Sequence, residues 1–336
     1  MPRQGDQTAP RRVDPTSDPD APVKVLHITG EGRSGSTLLG ILLGQRSGWF
    51  TAGEVRYLWQ RGLVERRLCG CGLPVPECPV WSEVLTEIGG VDDVAIRNTL
   101  KDLHRLSRPS VIARAVRTGA SSRRAQLGAL SDTLTDLFSS LREVARCNVI
   151  VDTSKPPTYG WLLDTLPSVE VWTVHLVRDP RAVAFSWQRH KPADDHPHGG
   201  FMARKSAAAT AVHWSVWNFV AERRGRHRPN RYLRLRYEDL VVDPALAIQR
   251  IAEFIGEAAD GALPSADHGT ELGSNHAVAG NPSRFDRGPV SIELDAQWRK
   301  ELTRRDRRIV ALLCAPLATH YGYRLRTGYG PDRAVP

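Results

Sequence analysis

The chain has 336 residues, enough to bury one large core or two modest ones, and 41% hydrophobic with 25% charged residues excludes a wholly disordered or fibrous protein. Its net charge of +9 calls for a polyanionic partner, either nucleic acid or a substrate with several negative charges, unless the arginines merely solvate the surface. Five cysteines, an odd number, argue against a disulfide framework, and no apolar run is long enough to span a bilayer, so a soluble, cytoplasmic protein without stable membrane insertion is expected.

Residues 1–22 are rich in Pro, Asp and Arg and lack both apolar periodicity and the apolar segment of a secretory signal, which predicts a disordered leader. VKVLHIT (Val23 to Thr29) is a β-branched run ending in glycines and reads as a buried strand. GEGRSGST follows, then LLGILLGQR reads as a helix, and Gly48 to Gly53 is a short connection with room for a strand. VRYLWQRGLVERR reads as a second helix that stops at the Cys/Gly/Pro loop from Cys69 to Pro79. Residues 80–146 are helical in pattern, with breaks at Gly89-Gly90 and Arg108-Pro109. CNVIVD (Cys147 to Asp152) and VEVWTVHLV (Val169 to Val177) are the next strands, with a helix over 156–166 between them. Asp179-Pro180 opens a further helix, since Asp caps well and Pro suits the first helical position. A long helix over 203–223 precedes a strand at RYLRLR (Arg231 to Arg236), and helices are predicted over 244–255, 294–300 and 304–320. The Gly/Asn/Ser-rich segment 256–289 is long enough to be functional or mobile.

Strands alternating with helices predict an α/β protein: a P-loop-type three-layer fold with a central, mostly parallel sheet flanked by helices. The simplest organisation is one domain over 23–330 with a helical insertion at about 80–146.

The strongest local signal is Gly30-Glu31-Gly32-Arg33-Ser34-Gly35-Ser36-Thr37 between a strand and a helix. Glycines permit the tight turn, consecutive N–H groups point at an anion, and the helix adds its positive end. Gly30, Gly35 and Thr37 match the Walker pattern, but Ser36 stands where its lysine should be. Arg33 is then the nearest cation, which suits a different anion from the triphosphate of an ordinary hydrolase. A second anion site is predicted at HLVRDPRAVAFSW, where Arg178 ends a strand and Ser186 lies in the second turn of the next helix. Both face the carboxyl edge of the sheet, where open α/β folds bind ligands. Pairing of Arg178 with Asp179 is the structural alternative.

A strand followed by GRSGSTLL, then Glu54 within AGEVRYL, then VRDPRAVAFSW resembles the sulfotransferases that use 3′-phosphoadenosine 5′-phosphosulfate, in particular the bacterial branch and the tyrosylprotein-type enzymes. RLRYEDLVVDP, NPSRFDRGP and the terminal YGY extend the resemblance over most of residues 23–325. It implies that Gly32, Arg33, Ser34, Gly35, Ser36 and Thr37 hold the 5′-phosphosulfate, with Arg33 as its cation, and that Arg178 and Ser186 hold the 3′-phosphate. It implies a late basic loop, with Arg287 and Arg284, over the nucleotide. Glu54 would be the base for an attacking hydroxyl, and Lys155 would stabilise the leaving bisphosphate, with the Ser154 hydroxyl nearby. The acceptor would be a hydroxyl on a small molecule, glycan or lipid; no metal and no nucleic acid is expected.

A degenerate P-loop kinase or NTPase is the alternative enzyme, and a basic nucleic-acid binder the alternative from another class, although no nucleic-acid-binding signature stands out. CGCGLPVPEC supplies three cysteines with no histidine nearby, so packed thiols in a structured loop are expected rather than a metal site. HKPADDHPH reads as a polar loop that closes over the acceptor, the Trp-rich helix from His213 to Phe219 as core, and Cys147 and Cys314 as core thiols.

Overall fold

The computed structural model describes residues 21–118, 128–257 and 270–325. Residues 1–20 of the expected leader lie outside them, as do 119–127 of the insertion and 258–269 of the late loop. Five strands, β1 (Val23–Thr29), β2 (Trp49–Gly53), β3 (Val149–Asp152), β4 (Val169–Val177) and β5 (Tyr232–Arg236), pair in parallel in the order β2-β3-β1-β4-β5. Both faces of the central strands β1, β3 and β4 are covered, which is why they read as mostly apolar runs, whereas the edge strand β5 (YLRLR) alternates. Successive side chains of β1 go to opposite layers: Val23 and Val25 join one core, Leu26 and Ile28 the other.

The first layer contains α2 (Pro79–Glu87), α3 (Asp93–Leu106), α5 (Gly128–Ala145) and α6 (Pro157–Leu163), around Trp59, Trp81, Phe138 and Tyr159. The predicted insertion thus consists of α2 to α5: α3 lies between the breaks at Gly89-Gly90 and Arg108-Pro109, and α4 (Pro109–Thr118) starts at the second. The second layer contains α1 (Ser36–Gly44), α9 (Tyr237–Val242) and α10 (Pro244–Ile255). A third cluster packs α7 (Pro180–Gln188), α8 (Ala207–His227) and α12 (Arg304–His320) around Trp214.

His27, Thr173 and His175 point from β1 and β4 into apolar surroundings, and each is satisfied. Arg224 of α8 bonds Asp164 through two nitrogens at 2.8 Å and the Thr173 hydroxyl at 2.6 Å, and His175 is held by Tyr232 and Asn218. A buried polar network of this kind is stable only when its members are paired.

Three elements differ from expectation. Residues 55–64 do not form an α-helix: a 3₁₀ turn (Val55–Tyr57) runs into a π-helical stretch (Leu58–Val64), closed by the Glu65 N–H to Gln60 O bond of 2.9 Å. The RYEDLVV segment contains α9 immediately after β5, an element that the residue pattern does not predict. The late loop carries a small antiparallel pair, β6 (Thr270–Leu272) with β7 (Gly288–Val290), and the helix foreseen over 294–300 shrinks to α11 (Trp298–Glu301). Among the described residues, no helix is long and apolar enough to cross a membrane.

Candidate functional site

Because all five strands run in parallel, their carboxyl ends share one edge. The strand order sets Glu54 after β2, Lys155 after β3, the Gly30–Gly35 loop after β1 and Arg178 after β4 side by side. These residues open onto a crevice of about 1010 Å³. The Thr29 hydroxyl donates to the Lys155 carbonyl at 2.8 Å, which ties the tips of β1 and β3.

The loop needs its glycines. Gly35 has φ 91°, and a Cβ there would sit 2.4 Å from the Tyr237 ring. A Cβ on Gly32 would lie 2.8 Å from the Trp187 ring, so the loop is clasped between two aromatics. Arg33 also adopts a left-handed backbone, φ 68°, at a cost of about 1 kcal/mol for a non-glycine residue. Its guanidinium lies 4.9 Å from the Trp187 ring centroid, donates to Met202 Sδ at 3.2 Å, and keeps a buried Nε without a hydrogen-bond partner. Burial lowers the Arg33 pKa, and the Glu54 carboxylate partly offsets that effect. Helix α1 starts with no side-chain cap, so its first N–H groups are free to face an anion. Gly32, Arg33, Gly35, Ser36 and Thr37 line the crevice. Ser34 does not; it is buried beneath the loop, with its Oγ unpartnered.

Arg178 donates to Arg33 O at 3.1 Å and stacks 4.2 Å from the Tyr237 ring centroid, while its buried Nε and Nη2 make no hydrogen bond. It is not paired with Asp179: that carboxylate binds Arg181 at 2.7 and 3.1 Å. Instead Asp295 lies 3.5 Å from Arg178 and 3.8 Å from Arg189, so this corner already attracts a negative group. Ser186 is buried and lines the same crevice.

Glu54 and Lys155 form a direct ion pair, and Arg61 stands 3.9 Å from the other carboxylate oxygen. Burial on its own would raise the Glu54 pKa, but Lys155, Arg61 and Arg284 together hold it below the ordinary carboxylate value. Ser154, fully buried, turns its hydroxyl away to accept the Arg56 N–H at 3.0 Å and so buttresses the turn after Glu54.

Arg287 requires a correction. It does not line the crevice; its guanidinium donates to the carbonyls of Arg284 (2.9 Å), Asp286 (2.8 Å) and Gly70. Arg284 likewise spends both Nη atoms, on Gly280 O, Leu68 O and Asp195, and although its buried Nε has no hydrogen-bond partner it does not line the crevice. The late loop does cover the cradle, but by its backbone: the Asn281 N–H donates to Thr37 Oγ1 at 3.0 Å.

Several crevice residues escaped the sequence reading. Glu31, buried in the loop itself, binds His213, Trp187 Nε1 (3.1 Å) and Lys205 (3.5 Å). Lys191, Lys205 and Trp217 also line the crevice, so the Trp-rich helix is core only on the Trp214 side. Trp187, next to Ser186, was the one legible signal; His213 and Lys205 had no motif around them. Within HKPADDHPH, Asp195 is pinned by Arg284 at 2.9 Å and Arg67 at 3.6 Å, while His196 lines the crevice. The expectation that no histidine joins Cys69, Cys71 and Cys78 is overturned: His276, 198 residues after Cys78, meets its Sγ at 3.2 Å.

The sequence profile described as "Sulfotransferase family" matches residues 26–260. Among solved structures, the sulfotransferase domain from the Synechococcus PCC 7002 olefin synthase is 22% identical, with a TM-score of 0.53, covering 91% of this chain and 97% of that one. The sulfotransferase domain from the curacin biosynthetic pathway is 17% identical, with a TM-score of 0.48 and coverage of 91% and 99%. A sulfotransferase from Mycobacterium avium is 16% identical, with a TM-score of 0.42 and coverage of 72% and 66%. The first of these shares the fold. No curated protein matches the sequence.

Proposed function

The chain belongs to the sulfotransferase family and transfers a sulfuryl group, and on that premise we propose that its donor is 3′-phosphoadenosine 5′-phosphosulfate, held across the tips of β1 and β4. One observation carries the reading: two arginines at adjacent strand tips, Arg33 and Arg178, keep buried guanidinium nitrogens without hydrogen-bond partners. Arg178 Nη2 has Asp295 at 3.5 Å, but the Nε atoms of Arg33 and Arg178 have no partner, and a buried, unpaired donor on a charged group is costly, about 1–3 kcal/mol or more, unless a ligand satisfies it. Two anions on one nucleotide would satisfy both. Gly32, Arg33, Gly35, Ser36 and Thr37 would hold the 5′-phosphosulfate, with Ser34 supporting the loop from below, and Arg178 with Ser186 the 3′-phosphate.

Sulfuryl transfer resembles phosphoryl transfer in being carried by positioning and electrostatics. An SO₃-like group is neutral, so it needs less compensating charge than a phosphoryl group, and the reaction as proposed uses no metal. Glu54 accepts the proton of the acceptor hydroxyl. Lys155 serves both ends of the reaction. While it pairs with Glu54 it holds the carboxylate ionised; as its ammonium turns to the charge developing on the leaving bisphosphate, Glu54 loses its main cation. Burial then raises the Glu54 pKa at the moment a proton must be taken up. The acceptor is a hydroxyl compound, a small molecule, glycan or lipid, entering past His196 and the loop around it. Five unpaired cysteines fit a reducing compartment, and we assign the activity to the cytoplasm.

The test is differential melting with 3′,5′-bisphosphoadenosine, adenosine 5′-phosphosulfate and Mg·ATP. A rise of several degrees with the bisphosphate and little with Mg·ATP supports the assignment. Equal shifts with all three, or none with the bisphosphate, reject it.

A further inference from the structure

We infer that Cys69, Cys71, Cys78 and His276 bind one zinc ion in a closed structural site that fastens the late loop over the cradle. The three Sγ atoms and a ring nitrogen of His276 all lie within 4.8 Å of one another. Four ligands on a zinc tetrahedron, with bonds of about 2.0–2.3 Å, stand roughly 3.3–3.8 Å apart, so the group is drawn together to nearly that spacing. Three sulfurs and one imidazole form a soft donor set that favours zinc over calcium or magnesium. None of the cysteines is in a disulfide. Among the described residues no carboxylate joins the four, and none of the four lines the crevice, so the site is closed and structural rather than catalytic.

The surroundings are built for the ligands. Cys69 and Cys71 flank a tight turn: Cys69 N–H donates to Leu73 O at 2.8 Å, Gly72 N–H to Cys69 O at 2.8 Å, and Gly72 has φ 94°. Cys78 stands at the start of α2, one residue before Pro79. His276 is oriented from three sides. Its ring stacks on Phe50 at 12° with centroids 6.3 Å apart, its carbonyl accepts Trp81 Nε1 at 2.8 Å, and its neighbour Asn275 donates to Arg284 O at 2.9 Å. The stacking sets the plane of the imidazole, and the two hydrogen bonds hold the backbone that carries it. A side chain at Gly70 would strike Asn275 Oδ1 at 2.0 Å, so glycine is required where the turn meets the histidine loop. Three thiolates on one Zn²⁺ leave a net charge of −1, and Arg287, bonded to Gly70 O, stands beside the turn as a counter-charge.

The histidine loop is the one that reaches the cradle. Val278 N–H donates to Ala52 O at 3.0 Å, two residues before Glu54, and Asn281 N–H donates to Thr37 Oγ1. An ion at this point joins the cysteine turn, the tip of β2 and the roof of the crevice.

Elemental analysis of the full chain, purified without chelator, tests this directly and does not depend on any sulfotransferase assay. The expected result is one zinc per chain, retained through gel filtration and released when the thiols are capped by a mercurial. Replacement by cobalt should give the intense visible bands of tetrahedral thiolate coordination. Cys71→Ser and His276→Ala should lose most of the metal, while Cys147→Ser should keep it. Stripping zinc from the wild-type chain with a strong chelator should lower its melting temperature by several degrees, with recovery on adding zinc. A wild-type chain that is metal-free as purified and takes up no zinc overturns the inference, as does a disulfide within the cluster, stoichiometric iron in place of zinc, or full zinc retention by Cys71→Ser.

Discussion

Two arginine-rich regions meet at the crevice, and they use their guanidinium groups in opposite ways. At the strand tips, Arg33 and Arg178 are stacked on Trp187 and Tyr237 yet retain buried nitrogens with no hydrogen-bond partner. In the late loop, the Nη atoms of Arg284 and Arg287 are committed to backbone carbonyls and to Asp195. The first pair is available to a ligand; the second holds chain to chain. Arg284 also keeps a buried Nε without a hydrogen-bond partner, so what separates the two regions is that only Arg33 and Arg178 face the crevice while the Nη forks of Arg284 and Arg287 are used up.

The sharpest way to test the available side is through Glu54, the carboxylate proposed as base. Glu54→Gln should lower turnover by about 10²–10⁴-fold while leaving affinity for 3′,5′-bisphosphoadenosine within a few-fold of wild type. Single-turnover assays with calorimetry would check both, and near-normal turnover would remove Glu54 from the mechanism. The comparison between the two arginine regions is broken or kept by a matched pair of variants. Arg178→Ala should weaken the bisphosphate by about 10–100-fold but adenosine 5′-phosphosulfate much less, since a charge-assisted bond contributes about 1.5–3 kcal/mol. Arg287→Ala should leave nucleotide affinity nearly unchanged and lower the melting temperature by a few degrees. A larger affinity loss in Arg287→Ala than in Arg178→Ala would reverse the two roles.

A pH profile refines the picture further. The acid limb of kcat/KM should fall below the ordinary carboxylate range, because the surrounding cations depress the Glu54 pKa. Lys155→Met should move that limb upward, as burial then dominates; an unchanged limb would show that the titrating group lies elsewhere.

The smallest effect concerns the fold beneath the site. Burial, with Arg224 beside it, lowers the His27 pKa to about 3, and burial lowers that of His175 to about 4. Both are depressed, so their stabilisation is complete above about pH 6.5 and is lost as pH falls toward 4. Asp152, raised by burial to about 6, works in the opposite sense over part of that window, because its contribution is lost as pH rises. Two histidines outweigh one aspartate, and stability should drop by about 3 kcal/mol between pH 7 and pH 4.5. Denaturant titrations at the two pH values check this, and a flat profile would contradict it.

How much of this could be read from the sequence follows from how far apart the partners lie. The cradle was legible because Gly30 to Thr37 are contiguous and sit between a strand and a helix whose patterns are clear. Arg178 and Ser186 were legible for the same reason, being eight residues apart around an Asp-Pro helix start. The Glu54–Lys155 pair was only half legible: each residue ends a strand, but nothing local says that β2 and β3 are neighbours when α2 to α5 intervene. The histidine that joins the three cysteines had no signal at all, since the chain closes that group only after the sheet has formed. Arg287 misled because a basic residue in a late loop looks the same whether it faces a phosphate or a carbonyl. The π-helical stretch after Glu54 was read as a regular helix because its apolar spacing tolerates either.

The direct contact between Lys155 and Glu54 has a kinetic corollary. An acceptor that arrives before the nucleotide meets a carboxylate whose charge is already cancelled, and it gains nothing from docking there. Turnover should accordingly follow a compulsory sequence, nucleotide first and acceptor second, with the spent nucleotide departing last and inhibiting competitively against the donor alone.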